Sequence, residues 1–182
     1  MKKYIYLFFM LILGLLSSCM NNVQRLGMYT PQFAPDESSR FYVSTVSVPN
    51  DKKQNGFFDF DLTPEGFDLS TEMKSQLGKV LADRGLAASS DSPGSYELII
   101  TISKYDSTLN MPIIASASQG TNIFLRCDIK QHGVDMGKIK MKRTYQALMI
   151  ASVLTSDKWK SIIASAANDI ADDLQEKIKQ RK

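Results

Sequence analysis

Four segments of the chain have the hydrophobic pattern of strands with one buried face. Apolar and polar residues alternate most clearly from Asn122 to Lys130, and the same period of two covers Tyr96–Ser103 and Lys138–Tyr145. Another segment, Phe41–Val48, is rich in β-branched and aromatic residues and ends at a Pro-Asn turn signal. A weaker alternation over Phe57–Leu62 is compatible with a short additional strand.

Two other segments carry apolar residues at helical spacing. The first predicts an amphipathic helix over residues 70–84, with Asp68 or Ser70 as its N-cap and a left-handed stop at Gly85. The second is a long C-terminal helix with one apolar stripe, which consists of Trp159, Ile163, Ala166, Ile170, Leu174 and Ile178. The predicted order is β-α-β-β-β-α. We expect an α+β fold, a two-layer sandwich with an antiparallel sheet of about four strands and both helices on one face.

The N-terminus has the pattern of a bacterial lipoprotein signal. Two lysines precede an apolar run, Tyr4–Leu16, which leads into Ser17-Ser18-Cys19. The run is about a dozen residues long, whereas a membrane-spanning helix needs roughly 20. We predict a signal peptide over residues 1–18, cleavage between Ser18 and Cys19, and attachment of diacylglycerol and further acyl chains such as palmitate to Cys19. An ordinary secretory signal and an uncleaved N-terminal helix are the alternatives.

The residue after Cys19 bears on location. It is Met20, whereas an aspartate there would resemble the inner-membrane retention signal of enteric bacteria. We expect a lipid anchor in the outer membrane of a Gram-negative bacterium, with the domain facing the periplasm; exposure on the cell exterior is an open alternative. Loss of the signal lowers the formal charge from +3 to +1, and such a chain has no electrostatic case for nucleic acid as a partner.

The mature chain is predicted to contain one domain. Residues 19–40 include several Asn, Pro and Ser residues without an apolar period, which indicates a lipidated cysteine followed by a flexible tether. The same residues lying along the domain surface is the alternative. Residues 41–182 form the predicted periplasmic α+β domain.

Residues suited to catalysis or metal binding do not form a recognisable motif. His132, the only histidine, falls in a predicted hairpin turn, and Cys127 falls on the apolar face of its strand. A loose group of carboxylates has a spacing that matches no established calcium loop: Asp59, Asp61, Glu65 and Asp68. We therefore predict a protein that is not an enzyme and that holds neither a metal nor a cofactor.

Two surfaces are candidates for binding. The connection from Leu109 to Ser118 is apolar although it lies between strands, so it either folds over the core or forms an exposed patch. The predicted partner-binding residues are Leu109, Met111, Ile113, Ile114 and Phe124. Three lysines line one face of the last strand: Lys138, Lys140 and Lys142, with Arg143 on the other side. They form either a solvated face or a contact for anionic lipid headgroups or a wall polymer such as peptidoglycan.

The layout resembles the YajG-type bacterial lipoproteins, a family of uncharacterised function. The resemblance rests on the lipobox around Cys19 and on four further pieces: residues 81–86 (LADRGL), 98–103 (LIITIS), 118–120 (SQG) and 142–147 (KRTYQA). Residues 41–67 depart from the pattern. The strand and helix order also resembles the transport-auxiliary lipoproteins and the N-terminal domain of TolB. The resemblance implies an outer-membrane lipoprotein with an α+β domain, and it transfers no catalytic residue.

The expected function is an accessory, assembly or scaffolding role in the cell envelope, through a membrane anchor at Cys19 and an envelope protein partner of unknown identity. The alternatives are a binding module for an anionic envelope polymer or lipid, and a transport-auxiliary lipoprotein.

Overall fold

The structure is a computed structural model, and it describes residues 20–29, 33–48, 66–90, 92–110, 118–148 and 156–180. For residues 20–29, 104–110, 118–122 and 145–148 the description concerns the backbone. The described part of the chain contains these elements in order: β1 Met20–Tyr29, β2 Phe41–Ser47, α1 Leu69–Asp83, β3 Tyr96–Asn110, β4 Ser118–Gln131, β5 Val134–Leu148 and α2 Ser156–Lys179. From β2 onward the predicted order β-α-β-β-β-α is confirmed.

The strands form one mixed sheet in the order β1-β5-β4-β3-β2. The strands β3, β4 and β5 are consecutive antiparallel neighbours, and β1 pairs antiparallel with β5. The prediction of an antiparallel sheet is wrong at β2, which pairs parallel with β3. The reason is α1, because a helical crossover returns the chain to the end of the sheet where the preceding strand began.

A single core lies between the helices and one face of the sheet. Alternate residues of the strands are buried there, among them Leu98 and Ile100 of β3 and Leu125 of β4. The helices add one stripe each: Leu69, Met73, Leu77 and Leu81 from α1, and Trp159, Ile163, Ala166, Ile170 and Leu174 from α2. The two-layer α+β arrangement is therefore as predicted, with both helices on the same face.

The additional strand β1 occupies part of the segment that was predicted to be a tether. Its pairing with β5 runs from Met20 opposite Gln146 to Tyr29 opposite Lys138, with an irregularity between Arg25 and Gly27. A strand at the edge of a sheet is held by backbone hydrogen bonds on one side, so it does not require apolar alternation. The predicted tether over residues 19–40 therefore gives way to a strand at 20–29. Residues 1–19, with the predicted signal peptide and Cys19, lie outside the described residues.

Both ends of α1 are formed as the sequence predicts. The Asp68 carboxylate accepts hydrogen bonds from the backbone N–H groups of Ser70 and Thr71, which is the arrangement of an N-cap. Gly85 has a φ of +66°, and the Leu86 N–H donates to the Leu81 carbonyl at 2.8 Å. The left-handed glycine lets the chain leave the helix while the last carbonyls stay hydrogen-bonded.

Some predictions concern residues outside the described ranges. These are the weak strand over 57–62 and the carboxylates Asp59, Asp61 and Glu65. Within the described residues, neither helix has both the length and the apolar composition that crossing a bilayer requires.

Candidate functional site

The face of the sheet opposite the helices is the candidate site. This open face consists of Glu97, Ile99 and Thr101 on β3, Phe124, Arg126, Asp128 and Lys130 on β4, and Lys138, Lys140 and Lys142 on β5. All of these side chains are half-buried or exposed, whereas their neighbours along each strand are buried in the core. The predicted lysine surface is therefore part of a wider polar face that three strands share.

Cross-strand pairing places the three lysines beside specific residues of β4. Lys142 lies opposite Phe124, Lys140 opposite Arg126, and Lys138 opposite Asp128. The Lys142 ammonium lies 5.4 Å from the centre of the Phe124 ring, within the range of a cation–π contact. The sequence grouped Phe124 with the apolar connection near Leu109; the structure places its side chain next to a lysine.

The charge of the open face is predominantly positive. Among its described residues are five cationic and two anionic side chains. One of the two acids is engaged by a cation of the same strand, since Arg126 Nε donates to Asp128 Oδ1 at 2.8 Å. Neighbouring strands lie about 4.8 Å apart and side chains of one face about 7 Å apart along a strand. The cations thus form a grid that matches a surface with repeated negative groups.

Arg143 lies on the buried side of β5, as the alternation predicts. Its guanidinium forms an ion pair with Asp169 and donates a hydrogen bond to the Ser165 hydroxyl, and both partners belong to α2. Burial lowers the pKa of Arg143 from its ordinary value. The guanidinium Nε is buried without a hydrogen-bond partner among the described residues. This contact fixes α2 over β5 and is unavailable to an external ligand.

Sequence reasoning did not find this buried cluster, although two signals pointed to it. Arg143 shares the alternation of Ile139 and Met141, which face the core. Ser165 and Asp169 are four residues apart on α2, so they lie on one side of that helix. A cation in a buried register and a polar pair on the facing helix together indicate a buried ion pair.

Cys127 and His132 occupy the places that the sequence predicts. Cys127 is buried, and burial, with a smaller effect of Asp128, raises the pKa of its thiol far above the ordinary value. The thiolate form required of a nucleophile is therefore suppressed. His132 is an exposed turn residue with a φ of +51°, followed by Gly133 with a φ of +79°. Two successive residues with positive φ are typical of a tight hairpin turn.

Two hollows lie away from the open face. One, of about 590 Å³, lies between β2 and α1, and there the Lys74 ammonium donates to the Ser44 carbonyl at 2.9 Å. The other, of about 230 Å³, lies near Asp36 and Gly94 and is lined mainly by polar groups. Over the part of the chain that the structure describes, no three His, Cys, Asp or Glu side chains are grouped for metal binding.

Most of the predicted partner-binding residues lie outside what the structure describes. Met111, Ile113 and Ile114 are in the segment 111–117, and for Leu109 the structure gives the backbone pairing with Gln119. The role of these residues stays a prediction. The described geometry adds one fact, namely that their segment joins the far ends of β3 and β4.

The fold and the open face define a two-layer α+β domain with a basic sheet surface. No protein-family model matches the chain. No curated protein matches it either. It is similar to three solved structures of bacterial proteins. A minor lipoprotein from Acinetobacter baumannii has a TM-score of 0.43 at 14% identity, over 74% of this chain and 91% of that chain.

The second structure is a candidate lipoprotein from Caulobacter crescentus CB15, with a TM-score of 0.41 at 15% identity over 77% of this chain and 92% of that chain. The third is a PelC dodecamer from Paraburkholderia phytofirmans, with a TM-score of 0.39 at 13% identity over 80% of this chain and 94% of that chain. The chain is thus structurally similar to bacterial lipoproteins, at values too low to transfer a role.

Proposed function

We propose that this chain is a lipid-anchored protein of the bacterial outer membrane that acts without catalysis, as an accessory or assembly component of the envelope. One observation carries the proposal: a whole sheet face opposite the helices presents charged and aromatic side chains in cross-strand rows. Small-molecule sites are usually concave, whereas a broad and open surface suits a macromolecular partner. The anchor follows from the lipoprotein signal that ends at Cys19.

The anchor is tested by metabolic labelling with an alkyne-tagged palmitate. The label should be incorporated into the unmodified chain and lost in Cys19→Ser. Cys127→Ala is the matched control, because Cys127 is the only other cysteine. Retention of the label in Cys19→Ser would overturn the anchor.

The accessory role is tested by photo-crosslinking in living cells. The probe is placed at Arg126 or Lys140 on the open face, and at Lys79 on the exposed side of α1 as the control. A discrete envelope protein captured only from the open face supports the proposal. Equal capture from Lys79, or no protein from either surface, contradicts it.

A second candidate function is binding of an anionic envelope polymer or lipid, and the excess of cations on the open face favours it. Changing Lys138, Lys140 and Lys142 to Glu together should abolish salt-sensitive retention on purified sacculi or on anionic vesicles. The matched control changes the exposed helix lysines Lys79, Lys160 and Lys179 to Glu, which alters the net charge equally. Equal loss of retention in both triple variants would show a nonspecific charge effect.

The apolar connection keeps its predicted role as a protein-contact surface. Changing Ile113 and Ile114 to Asp should abolish partner capture without lowering the melting temperature. A large fall in melting temperature would instead assign these residues to the core, as in the alternative described for the sequence.

A further inference from the structure

The strand register brings four strands together at one end of the sheet. Met20 of β1 pairs with Gln146 of β5, Gln146 pairs with Gly120 of β4, and Gly120 pairs with Thr108 of β3. These four residues form one row across the sheet. The remaining ends, Asn110, Ser118 and Leu148, lie two residues beyond this row. We call Met20, Asn110, Ser118 and Leu148 the anchored end.

The name refers to Cys19, which immediately precedes Met20 in the chain. Two residues of strand span about 7 Å, and three strand spacings span about 14 Å, so the backbone that follows Cys19 starts within roughly 15 Å of the ends of β3, β4 and β5. A lipid on Cys19 would therefore be held close to this edge of the sheet. A strand that begins directly after the lipidated residue leaves no slack for the domain to stand away from the bilayer.

The composition of the chain changes at the anchored end. No charged residue occurs from Ser107 to Leu125, the stretch that contains the end of β3 and the start of β4. None occurs from Thr144 to Ser156 either, the stretch that contains the end of β5. The sequences that continue from these ends are apolar, with Met111, Ile113 and Ile114 in the first and Met149, Ile150, Val153 and Leu154 in the second.

The opposite end of the same strands has the reverse character. The β4–β5 turn at His132 and Gly133 is exposed, and it lies between Lys130 and Asp135. Val134 is the exposed large apolar residue found among the described side chains, at 54% exposure. The uncharged stretches therefore meet at the end that adjoins Cys19 and not at the other.

We propose that the anchored end rests against the lipid bilayer that holds the acyl chains of Cys19, so that the apolar stretches contact lipid and the strands point away from the membrane. This inference rests on the lipid anchor of the proposed function. Apolar contact supplies the second membrane-binding signal that lipid-anchored proteins commonly use besides their acyl chains. The turn at His132 then lies about 45 Å from the anchored end, since β5 contributes about 3.3 Å per residue.

The test is fluorescence quenching of the full-length lipidated protein in vesicles that contain nitroxide-labelled lipid. A bimane label is placed at Asn110→Cys or Ser118→Cys, and at Val134→Cys as the control, each in a Cys127→Ala background. We expect quenching several-fold stronger at the two anchored-end positions than at Val134. Equal quenching at all three positions overturns the orientation.

Two further measurements separate the possible failures. Mass spectrometry of the same samples reports the acyl chains: lipidated protein without selective quenching overturns this inference alone, and protein without acyl chains overturns the anchor as well. A ten-residue Gly-Ser insertion between Cys19 and Met20 then separates contact from proximity. Quenching at Asn110 that stays within twofold of the uninserted protein supports contact with lipid, and its loss shows that only the covalent link held this end near the membrane.

Discussion

At the scale of single residues, Arg143 is the least ordinary feature of the core. A guanidinium in an apolar layer loses its hydration, and that loss is offset by the ion pair with Asp169 and the hydrogen bond to Ser165. The two partners lie on α2, so the contact is available only when that helix is docked on the sheet. The residue therefore specifies how helix and sheet align.

Replacing Arg143 by Met should destabilise the fold by about 3 kcal/mol, because the change leaves the Asp169 carboxylate partly buried without its cation. The measurement is urea denaturation. Lys140→Met on the open face of the same strand is the control, and it should change the stability by less than about 0.5 kcal/mol. Adding Asp169→Leu to Arg143→Met should recover most of the loss. Equal stabilities of Arg143→Met and Lys140→Met would contradict this account.

Asp68 makes the stability of α1 depend on pH. Hydrogen bonds from the side chains of Thr71 and Ser70, and from their backbone N–H groups, lower the pKa of Asp68 from 3.8 to about 2. A carboxyl group whose pKa is lower in the folded state contributes stability that is present above the unfolded pKa and is lost as the pH falls through the folded value.

Asp68→Ala should therefore be less stable than the unmodified protein near neutral pH, and this difference should shrink between pH 4 and pH 2. Asp68→Asn is the matched control, since an uncharged amide also caps a helix and does not titrate there. Thermal denaturation at pH 6 and at pH 2 gives the comparison. A difference between the unmodified protein and Asp68→Ala that is the same at both values would refute the assignment.

At the scale of elements, the two helices are joined by the residue that ends the first. Arg84, the C-cap of α1, donates to Asp172 at 2.6 Å and to Asn168 at 2.9 Å on α2. The planar guanidinium reaches both acceptors at once, and a lysine ammonium on its flexible stem does not reproduce that geometry.

Arg84→Ala should destabilise the protein by about 1 kcal/mol, a value limited by the partial exposure of the ion pair. Arg84→Lys should recover less than half of that loss. Lys79→Ala, on the exposed side of α1, serves as the reference in the same denaturation experiment. Full recovery in Arg84→Lys would show that charge alone, without the two-point geometry, joins the helices.

The edge strand β1 makes a prediction about backbone protection. Amide hydrogen exchange should be slowed across Met20–Tyr29, because that segment pairs with β5. Exchange in the turn at Glu37 and Ser38 is the internal reference for an exposed loop. Equally fast exchange in both segments would restore the flexible tether that the sequence predicts.

At the scale of the whole molecule, one core serves both layers. The buried residues of both helices and of the inward strand faces form a single cluster. Trp159, the only tryptophan, is fully buried in it and lies 6.3 Å from the ring of Phe67. A domain with a single core usually unfolds in one cooperative transition.

The fluorescence of Trp159 and the far-ultraviolet circular dichroism should therefore report the same midpoint of thermal unfolding. Trp159→Phe, followed by circular dichroism, checks that the indole itself does not determine that midpoint. Two separate midpoints in the unmodified protein would show that α2 melts independently of the sheet.

The two faces of the sheet have different roles in this molecule. The inward face is used for packing, and the open face carries most of the accessible charge of the strands. Under the orientation proposed above, the open face stands along the normal of the membrane, with its edge near Cys19 at the lipid surface. A periplasmic partner or polymer can then reach the rows that contain Phe124 and Arg126.

The elements that the sequence predicted well depend on short-range information. The strands β3, β4 and β5 follow from alternation, and α1 follows from its spacing together with Asp68 and Gly85. The burial of Cys127 and the turn at His132 follow from the same local patterns. These features could be read because each depends on residues within one turn or one strand of each other.

The features that were missed depend on residues distant in the chain. The strand β1 has no apolar period, and its pairing is decided by the exposed backbone of β5. The parallel pairing of β2 depends on the path of the crossover. The ion pair of Arg143 with Asp169 requires the helix to be docked before either charge has its partner.

The sequence by itself determined the order of elements after Phe41, the inward and outward residues of each strand, and the lipoprotein signal, because local periodicity and short motifs encode them. Only the tertiary structure decided that β1 joins the sheet, that the lysines share a face with Phe124 and Arg126, and that the uncharged strand ends meet beside Met20. These are consequences of strand register, and register is a relation between segments far apart in sequence that no local pattern specifies.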